Sequence, residues 1–177
     1  MKILIVSDSH GMNGPLRAVI LKENPDMLIH LGDSEYMQSE IARWAGAPKT
    51  ACIFVRGNCD NSYCDPSIVK DESVFSLKGH RIFCSHGHQQ RVNYGLLTLS
   101  LTAQEKGCDI CMFGHTHIPY DSHGDAVNSF RGFDDIPTGP RILNPGSISV
   151  PRGGSRRSYM IMEMEEDGRC DVKYCEI

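Results

Sequence analysis

Lys2-Ile3-Leu4-Ile5-Val6 is a short, mainly apolar run that leads directly into the polar tract Ser7-Asp8-Ser9-His10. Short apolar runs bounded by polar residues and glycine are typical of buried β-strands. The same succession recurs at four later places, so five such strands are predicted. The later runs span residues 27–31, 51–55, 81–84 and 110–113, and the tracts after them are Gly32-Asp33, Gly57-Asn58-Cys59-Asp60, Ser85-His86-Gly87-His88 and Gly114-His115-Thr116-His117.

The polar tracts are expected to meet at one edge of the predicted sheet. In open α/β sheets, sites form in the crevice beyond the carboxyl ends of the strands. Asp8 and His10 are two residues apart, as are His115 and His117, and in an extended chain such pairs point in the same direction. The resulting set of oxygen and nitrogen donors is too large for one metal ion. Its members are Asp8, His10, Asp33, Asn58, His86, His115 and His117.

The bulk composition is that of an ordinary globular protein. The chain has 177 residues, 40% hydrophobic and 23% charged, which fits a single domain over residues 1–177. A net charge of −4 and a pI near 6.0 give no overall attraction to nucleic acids or anionic membranes. We interpret the arginines at 152, 156 and 157 as a solvated loop. The N-terminal apolar run is too short for a signal peptide or a membrane span, so we expect a cytoplasmic protein.

The eight cysteines are interpreted as reduced thiols, because a cytoplasmic protein rarely keeps disulfides. Cys108 and Cys111 form an isolated C-x-x-C pair. No second pair has the spacing of a structural zinc site, so we interpret both as small core residues rather than metal ligands.

The chain alternates strands and helices in its first half and changes character later. Helices are predicted at residues 15–22, with Asn13 as the cap, at 39–44, and at 94–106. Strands with intervening helices indicate βαβ units. Residues 73–77 with 81–84, and 157–164 with 170–175, are predicted to form hairpins. Residues 118–140 are predicted to be an irregular insertion, which either overhangs the site or is a tolerated surface loop.

In this order, the polar tracts resemble those of the calcineurin-like metallophosphoesterase superfamily, and in particular its small bacterial and archaeal phosphodiesterases of the YfcE type. No single tract is specific, but the combination is. The resemblance implies an α/β fold, a four-layer β-sandwich of two mixed sheets flanked by helices. The tracts that carry it are Ser7-Asp8-Ser9-His10-Gly11, His30-Leu31-Gly32-Asp33, Arg56-Gly57-Asn58-Cys59-Asp60, His86-Gly87-His88, Gly114-His115-Thr116-His117 and Asn144-Pro145-Gly146-Ser147.

The resemblance also implies two divalent metal ions. The first would be held by Asp8, His10, Asp33 and His117, and the second by Asp33, Asn58, His86 and His115. Because these ligands include no thiolate, they suit Mn, which we expect, as well as Ni, Fe, Co or Zn. Such ions would generate a hydroxide that attacks the phosphorus of a small phosphoester substrate. Asp33, Asn58 and His86 would be the catalytic residues.

Three further residues are expected to support the ligands or to contact the substrate. Many members of the superfamily that this chain resembles carry histidine directly after the asparagine ligand, where it can protonate the leaving oxygen. This chain has Cys59 at that position, as in the YfcE-like branch. We expect Asp60 to orient neighbouring groups and His88 to contact the phosphate or support a ligand. His30 lies within an apolar run and is interpreted as a core histidine with a hydrogen-bond partner.

Two other classes of function are considered. A non-catalytic scaffold is one, since a retromer subunit that resembles this fold uses it to bind other proteins; that function normally accompanies loss of the ligands, and all seven are present here. A Rossmann-type nucleotide-binding module is rejected, because no G-x-G-x-x-G follows the first strand. Cyclic dinucleotides, cyclic mononucleotides, glycerophosphodiesters and monoesters all remain open as substrates. A homodimer is the oligomeric state we expect.

Overall fold

The computed structural model describes residues 1–60, 64–124 and 139–177. Within these ranges the chain forms two β-sheets and three α-helices. The elements are β1 (Lys2–Val6), α1 (Asn13–Glu23), β2 (Met27–His30), α2 (Gln38–Ala45), β3 (Ala51–Val55), β4 (Val69–Lys70), β5 (Glu72–Leu77), β6 (His80–Ser85), α3 (Leu97–Glu105), β7 (Ile110–Met112), β8 (Pro119–Gly124), β9 (Gly139–Pro145), β10 (Ser158–Met164) and β11 (Cys170–Glu176).

Both sheets are mixed. The six-stranded sheet has the order β11-β10-β1-β2-β3-β4, and the five-stranded sheet has the order β5-β6-β7-β9-β8. In the first sheet β1, β2 and β3 run parallel, whereas β10 is antiparallel to β1. In the second sheet β6, β7 and β9 run parallel. Parallel strands connected through α1 and α2 confirm the predicted βαβ units, and the pairs β5–β6 and β10–β11 confirm the predicted hairpins.

The central parallel strands β1, β2 and β7 are buried on both faces, so each sheet has a core on either side. Ile3 and Ile5 of β1 pack between the sheets with Ile82 and Leu143 of the second sheet. Leu4 points to the opposite face, as alternation along a strand requires, and packs with α1 and α2. The outer face of the second sheet packs against α3. The resulting order of helix, sheet, sheet and helix confirms the predicted four-layer sandwich.

Two helices begin at positions other than those predicted. α1 begins at Asn13 itself, with Met12 in the cap position and no side-chain capping bond, so the predicted Asn13 cap is wrong. The helix predicted from Tyr94 begins only at Leu97. A 3-10 turn, Val92–Tyr94, precedes it, because the residues on either side of this turn have φ angles of 54° and 133° that interrupt helical backbone. No helix in the described part of the chain is long and apolar enough to cross a membrane.

The segment at 118–140 is less irregular than predicted. Its two ends are the strands β8 and β9, which pair antiparallel with Tyr120 opposite Asn144. β8 lies at the edge of its sheet, where a polar sequence and a proline at the strand start are tolerated, so the pattern of a buried strand is missing. Residues 125–138, which carry the rest of the predicted insertion, lie outside the described residues.

Candidate metal centre

Six of the seven predicted ligands, all except Asn58, converge at the carboxyl ends of β1, β2, β6 and β7. The loops of the two sheets contact each other there, and the backbone N–H of His115 donates to Asp8 Oδ2 at 3.1 Å. Donor atoms of six predicted ligands form two groups, within each of which all the atoms lie within 4.8 Å of one another. The first group is Asp8, His10 and His117, and the second group is Asp33, His86 and His115.

Asp33 belongs to the second group and also lies close to the first. Its Oδ2 atom is 3.4 Å from Nε2 of His86 and 3.9 Å from Nε2 of His10. Asp8 makes a second link, with Oδ1 3.1 Å from Nε2 of His117 and 3.9 Å from Nε2 of His86. The two groups therefore form one continuous cluster, and Asp33 occupies the place that a bridging ligand would need.

Hydrogen bonds hold three of the imidazole rings with Nε2 toward the cluster. In each ring Nδ1 faces an oxygen that can only accept a hydrogen bond, so Nδ1 carries the proton and Nε2 has a free lone pair. Such outer partners fix both the tautomer and the orientation of a metal-binding histidine. The three contacts are His10 to Glu35 Oε1 at 2.9 Å, His86 to the Leu31 carbonyl at 2.7 Å, and His117 to the Val150 carbonyl at 2.5 Å.

Two buried atoms of the cluster lack a hydrogen-bond partner. Asp8 Oδ1 and His86 Nε2 belong to fully buried side chains, and neither has a hydrogen-bond partner among the described residues. Nε2 of His117 lies 3.1 Å from Asp8 Oδ1, but it presents a lone pair rather than a proton, because the proton of that ring is on Nδ1. Leaving such an atom unpaired costs about 1–3 kcal/mol, so buried polar atoms normally have a partner. The unpaired atoms are an oxygen and a nitrogen in a set of donors without thiolate, which is the chemistry of divalent transition-metal sites. The cluster therefore fits divalent metal ions.

The charges of the cluster also suit cation binding. Burial raises the pKa of Asp33, but its contact with His86 outweighs burial and holds the pKa below its ordinary value. At Asp8, burial likewise raises the pKa, but the contacts with His117 and His86 together outweigh burial, so the pKa lies below its ordinary value. Burial lowers the pKa of both histidines, yet these carboxylates raise each above its usual range. Both carboxylates are thus ionised at neutral pH, and a metal ion would compete with protons for the imidazoles.

The backbone is left-handed rather than extended at five of the seven predicted ligands. This overturns the expectation that residues two apart point the same way because the chain is extended. Positive φ angles are uncommon for residues other than glycine, and they concentrate at functional sites where the surrounding structure holds them. Here they turn successive side chains of one loop into the cluster. The angles are 55° at Asp8, 43° at His10, 51° at Asp33, 65° at His115 and 59° at His117.

Two glycines let neighbouring loops approach each other. A Cβ atom at Gly57 would overlap Oδ1 of Asp33. A Cβ atom at Gly114 would overlap the Ser7 hydroxyl and lie 2.9 Å from Oδ2 of Asp8. In both cases the missing side chain leaves room for a carboxylate of the cluster, so close approach explains each glycine.

Asp60 joins the loops after β2 and β3. Its Oδ2 atom accepts the backbone N–H groups of Asp33 and Gly57, each at 2.8 Å. Its Oδ1 atom accepts from the Ser34 hydroxyl at 3.0 Å and from the Glu35 N–H at 2.9 Å. Four hydrogen bonds satisfy this buried carboxylate and set the backbone that carries Asp33, which is the orienting contact expected of it.

The tract from Asn144 to Ser147 supports the loops of the first group. The Asn144 amide donates to the Gly114 carbonyl at 2.9 Å and to Thr116 Oγ1 at 3.0 Å. The hydroxyls of Ser147 and Ser149 both donate to the Asp8 carbonyl, at 2.8 and 2.6 Å. These bonds hold the backbone on which Asp8 and His115 lie.

Asn58, Cys59 and His88 lie beside the cluster. The Asn58 side chain is exposed, and its amide donates to Cys59 Sγ at 3.1 Å, while the Cys59 N–H donates to Asp33 Oδ1 at 2.8 Å. His88 is half-buried, with its ring centroid 5.4 Å from that of His86 and 6.1 Å from that of His115. Its buried Nδ1 atom has no partner among the described residues. His30 is a buried histidine whose Nε2 atom contacts Ser9 Oγ at 3.1 Å, in agreement with its interpretation as a core residue.

Sequence reasoning missed two side chains that contact the ligands. Glu35 accepts from His10, and its donor atoms, with those of His10 and Cys59, form a third group within 4.8 Å. Its spacing of two residues from Asp33 was a usable signal, because the other ligand pairs share that spacing. Asn93 contacts Nε2 of His115 at 3.0 Å, which leaves Nδ1 for the second group. No motif marks Asn93, since it lies in the 3-10 turn before α3.

Comparison with known proteins identifies the family. The model of the calcineurin-like phosphoesterase superfamily domain matches residues 1–167. The probable metallophosphoesterase YsnB of Bacillus subtilis is 32% identical over 169 residues, covering 94% of this chain and 86% of that protein. The phosphodiesterase YfcE of Escherichia coli is 26% identical over 182 residues, covering 92% and 88%.

Solved structures of other proteins share this fold. A protein of Streptococcus pneumoniae described as a predicted phosphoesterase superposes with a TM-score of 0.74 at 28% identity, covering 99% of this chain and 88% of the other. Vacuolar protein sorting 29 of Cryptosporidium parvum superposes with a TM-score of 0.72 over 99% and 97%, and at 17% identity this likeness concerns the fold alone. The chain belongs to the calcineurin-like phosphoesterase superfamily, and its relatives include proteins named as metallophosphoesterases and phosphodiesterases.

Proposed function

We propose that the chain is a phosphodiesterase that depends on two divalent metal ions, with Mn²⁺ as the metal we expect. The observation that supports this best is the position of Asp33 between two groups of donor atoms, in a cluster with a buried, unpaired oxygen and nitrogen. When bound, such ions activate a water molecule and neutralise charge that develops on the phosphate oxygens. The named relatives support the same class of reaction.

The chain's own residues would bind the ions and fix their surroundings. Asp33 Oδ1 is held by the Cys59 N–H, so Oδ2 is the oxygen that faces the imidazoles. The Nδ1 contacts of His10, His86 and His117 hold each ring with Nε2 pointing inward before a metal ion binds. The first ion would be held by Asp8, His10, Asp33 and His117, and the second by Asp33, Asn58, His86 and His115.

His88 is the residue best placed to contact the phosphate. It lies on the loop that carries His86, and burial and the neighbouring His86 lower its pKa. A neutral imidazole still has one N–H to donate. We propose that His88 donates a hydrogen bond to a phosphate oxygen and helps to orient the ester for attack.

A non-catalytic scaffold of the same fold is the alternative. The structural likeness to vacuolar protein sorting 29 is the reason to consider a scaffold. The complete ligand set argues against it, because a scaffold does not need a buried, unpaired oxygen and nitrogen among ionised carboxylates. We also propose that the protein is a cytoplasmic homodimer.

The decisive experiment combines metal analysis with hydrolysis of bis(p-nitrophenyl) phosphate. We expect about two Mn²⁺ ions per chain in metal-replete protein and loss of both in Asp33→Ala, because this residue alone is assigned to both ions. The matched control is Arg156→Ala, an exposed residue paired with Glu176, which should keep both ions and full activity. Full metal content and turnover in Asp33→Ala would overturn the site, and a metal-replete wild type inactive on phosphoesters would favour the scaffold.

A further inference from the structure

The loop between β9 and β10 carries three arginines whose surroundings differ. Arg156 pairs with Glu176 at 3.3 Å. The Arg157 Nε–H donates to the Ser149 carbonyl at 2.9 Å. Both of these guanidinium groups therefore have protein partners that account for them. The interpretation of all three arginines as a solvated loop does not distinguish between them, and Arg152 requires a separate explanation.

Arg152 lies directly beside the first group. Its backbone N–H donates to the carbonyl of His117 at 3.1 Å. Its side chain is exposed, and the ion pairs found among the described ranges do not include it. The backbone of Arg152 is thus joined directly to a proposed ligand, and its guanidinium group has no carboxylate partner in the described residues.

The backbone that carries Arg152 is fixed. Its carbonyl accepts from both the N–H and the hydroxyl of Ser155, at 3.1 and 2.6 Å. The next residue, Gly153, has φ of 64° and packs so closely on Ile118 that a Cβ would lie 3.0 Å from Cδ1. Because Ile118 directly follows His117, the loop and the ligand are held together. A guanidinium presented from an ordered loop loses less entropy when it binds an anion.

The geometry of His117 indicates on which side of its ring the Arg152 loop lies. The ring turns Nε2 toward Asp8 and Nδ1 toward the Val150 carbonyl, so the arginine loop lies on the side of the ring away from the cluster. A scissile phosphate would lie at the cluster, where the ions neutralise its charge. Arg152 is therefore suited to an anionic group attached to the substrate beyond the scissile phosphate, and the planar guanidinium matches phosphate in particular.

We infer that Arg152 forms an anion subsite beside the metal centre, which selects phosphodiesters that carry a second phosphate group. This rests on the proposed function in so far as it names a substrate class. The binding of a second phosphate does not itself need turnover, so it can be measured separately.

The test compares two esters that differ only in that phosphate. Thymidine 5′-(p-nitrophenyl phosphate) and its 3′-phosphorylated form share the leaving group and the scissile diester. We expect wild-type protein to prefer the 3′-phosphorylated ester, and Arg152→Ala to reduce kcat/KM for it by about 10-fold while changing the unphosphorylated ester by less than about 3-fold. Arg152→Lys should restore part of the preference, and Arg156→Ala should retain it.

A binding measurement separates this inference from the proposed function. Thymidine 3′,5′-bisphosphate, which has no diester bond, is titrated calorimetrically into metal-replete wild type and both variants. Binding of the bisphosphate that is about 10-fold weaker in Arg152→Ala, but not in Arg156→Ala, supports the subsite even if neither ester is hydrolysed. Failure to hydrolyse either ester would contradict the proposed phosphodiesterase activity instead. Equal affinity for the bisphosphate in all three proteins would overturn the subsite, as would an equal loss of kcat/KM on both esters in Arg152→Ala. Either result would leave the proposed phosphodiesterase activity unaffected.

Discussion

The Nε2 atoms of His10 and His117 face each other at 3.2 Å across the first group. Each ring donates its Nδ1 proton to an acceptor, so two lone pairs point toward each other. Such a pair is stable only with a cation or a proton between the nitrogens. The relationship makes the outer acceptors of the two rings part of the affinity for metal, because they keep both lone pairs in place.

Glu35 should therefore affect metal affinity. In Glu35→Ala, His10 loses its Nδ1 acceptor and can rotate, and we expect Mn²⁺ affinity for the first ion to fall about 10- to 100-fold. Glu35→Gln keeps an acceptor oxygen and should fall much less. Calorimetric titration of the metal-free protein with Mn²⁺ measures the affinity for each of the two ions separately. Equal affinities in Glu35→Ala and wild type would show that the contact at 2.9 Å does not orient the ligand.

Gly57→Ala should be strongly destabilising. The added methyl group would overlap Asp33, and neither the backbone nor a ligand can move away without cost, so we expect a loss of about 3 kcal/mol or more in urea unfolding of the metal-free protein. Gly14→Ala is the matched control, because nothing lies within 4 Å of its Cβ and it is in helix α1. It should stabilise by about 0.5–1 kcal/mol. Similar stabilities of the two variants would disprove the packing argument.

His80 should make stability depend on pH far from the metal centre. Its Nδ1 atom contacts Asp109 Oδ2 at 2.5 Å and its Nε2 atom contacts the Gly168 carbonyl at 2.7 Å. Both partners are acceptors, so only the imidazolium satisfies both contacts, and the pKa of His80 is raised above its ordinary value by Asp109 and then by Gly168. The other charged groups around it are Lys78, Glu166 and Asp167.

The sign of the effect follows from the raised pKa. The stabilisation is complete below the unfolded pKa of about 6.5 and is lost as the pH rises through the folded pKa. His80→Gln does not titrate, so wild type should exceed it by about 0.5–1 kcal/mol near pH 6 and converge with it at higher pH. Urea unfolding at several pH values measures this difference. A difference that grows as the pH rises would contradict the prediction.

Cys59→His tests whether a general acid is missing. A thiol is a weak hydrogen-bond donor, so the wild type should favour aryl esters, whose leaving groups depart without a proton. The variant should gain more on alkyl than on aryl phosphodiesters, by about 10-fold or more, since acid assistance is typically worth about 10²–10⁴. The measurement is the slope of log kcat/KM against leaving-group pKa, with Cys59→Ala as control. A shallow wild-type slope, or an inactive Cys59→Ala that retains its metals, would contradict this interpretation.

The parts of the fold with a strong hydrophobic pattern were predictable, and the parts set by tertiary contacts were not. β1 and its parallel neighbours are buried on both faces and appear as apolar runs, whereas the edge strand β8 has a polar sequence and was missed. Asp33 and His86 could be predicted because each follows such a run. Glu35 shares the two-residue spacing of the ligand pairs, but its contact is with a histidine 25 positions away, which that spacing does not identify. Asn93 contacts a histidine 22 positions away and belongs to no motif.

The facing histidines of the first group are 107 positions apart in the chain. An unfolded chain cannot hold them together, because closing so long a loop is opposed by conformational entropy. Metal ions should therefore bind the native state almost exclusively, and each ion adds stability that grows with the logarithm of its free concentration. The folded population of this protein would then report on the supply of metal around it, independently of any substrate.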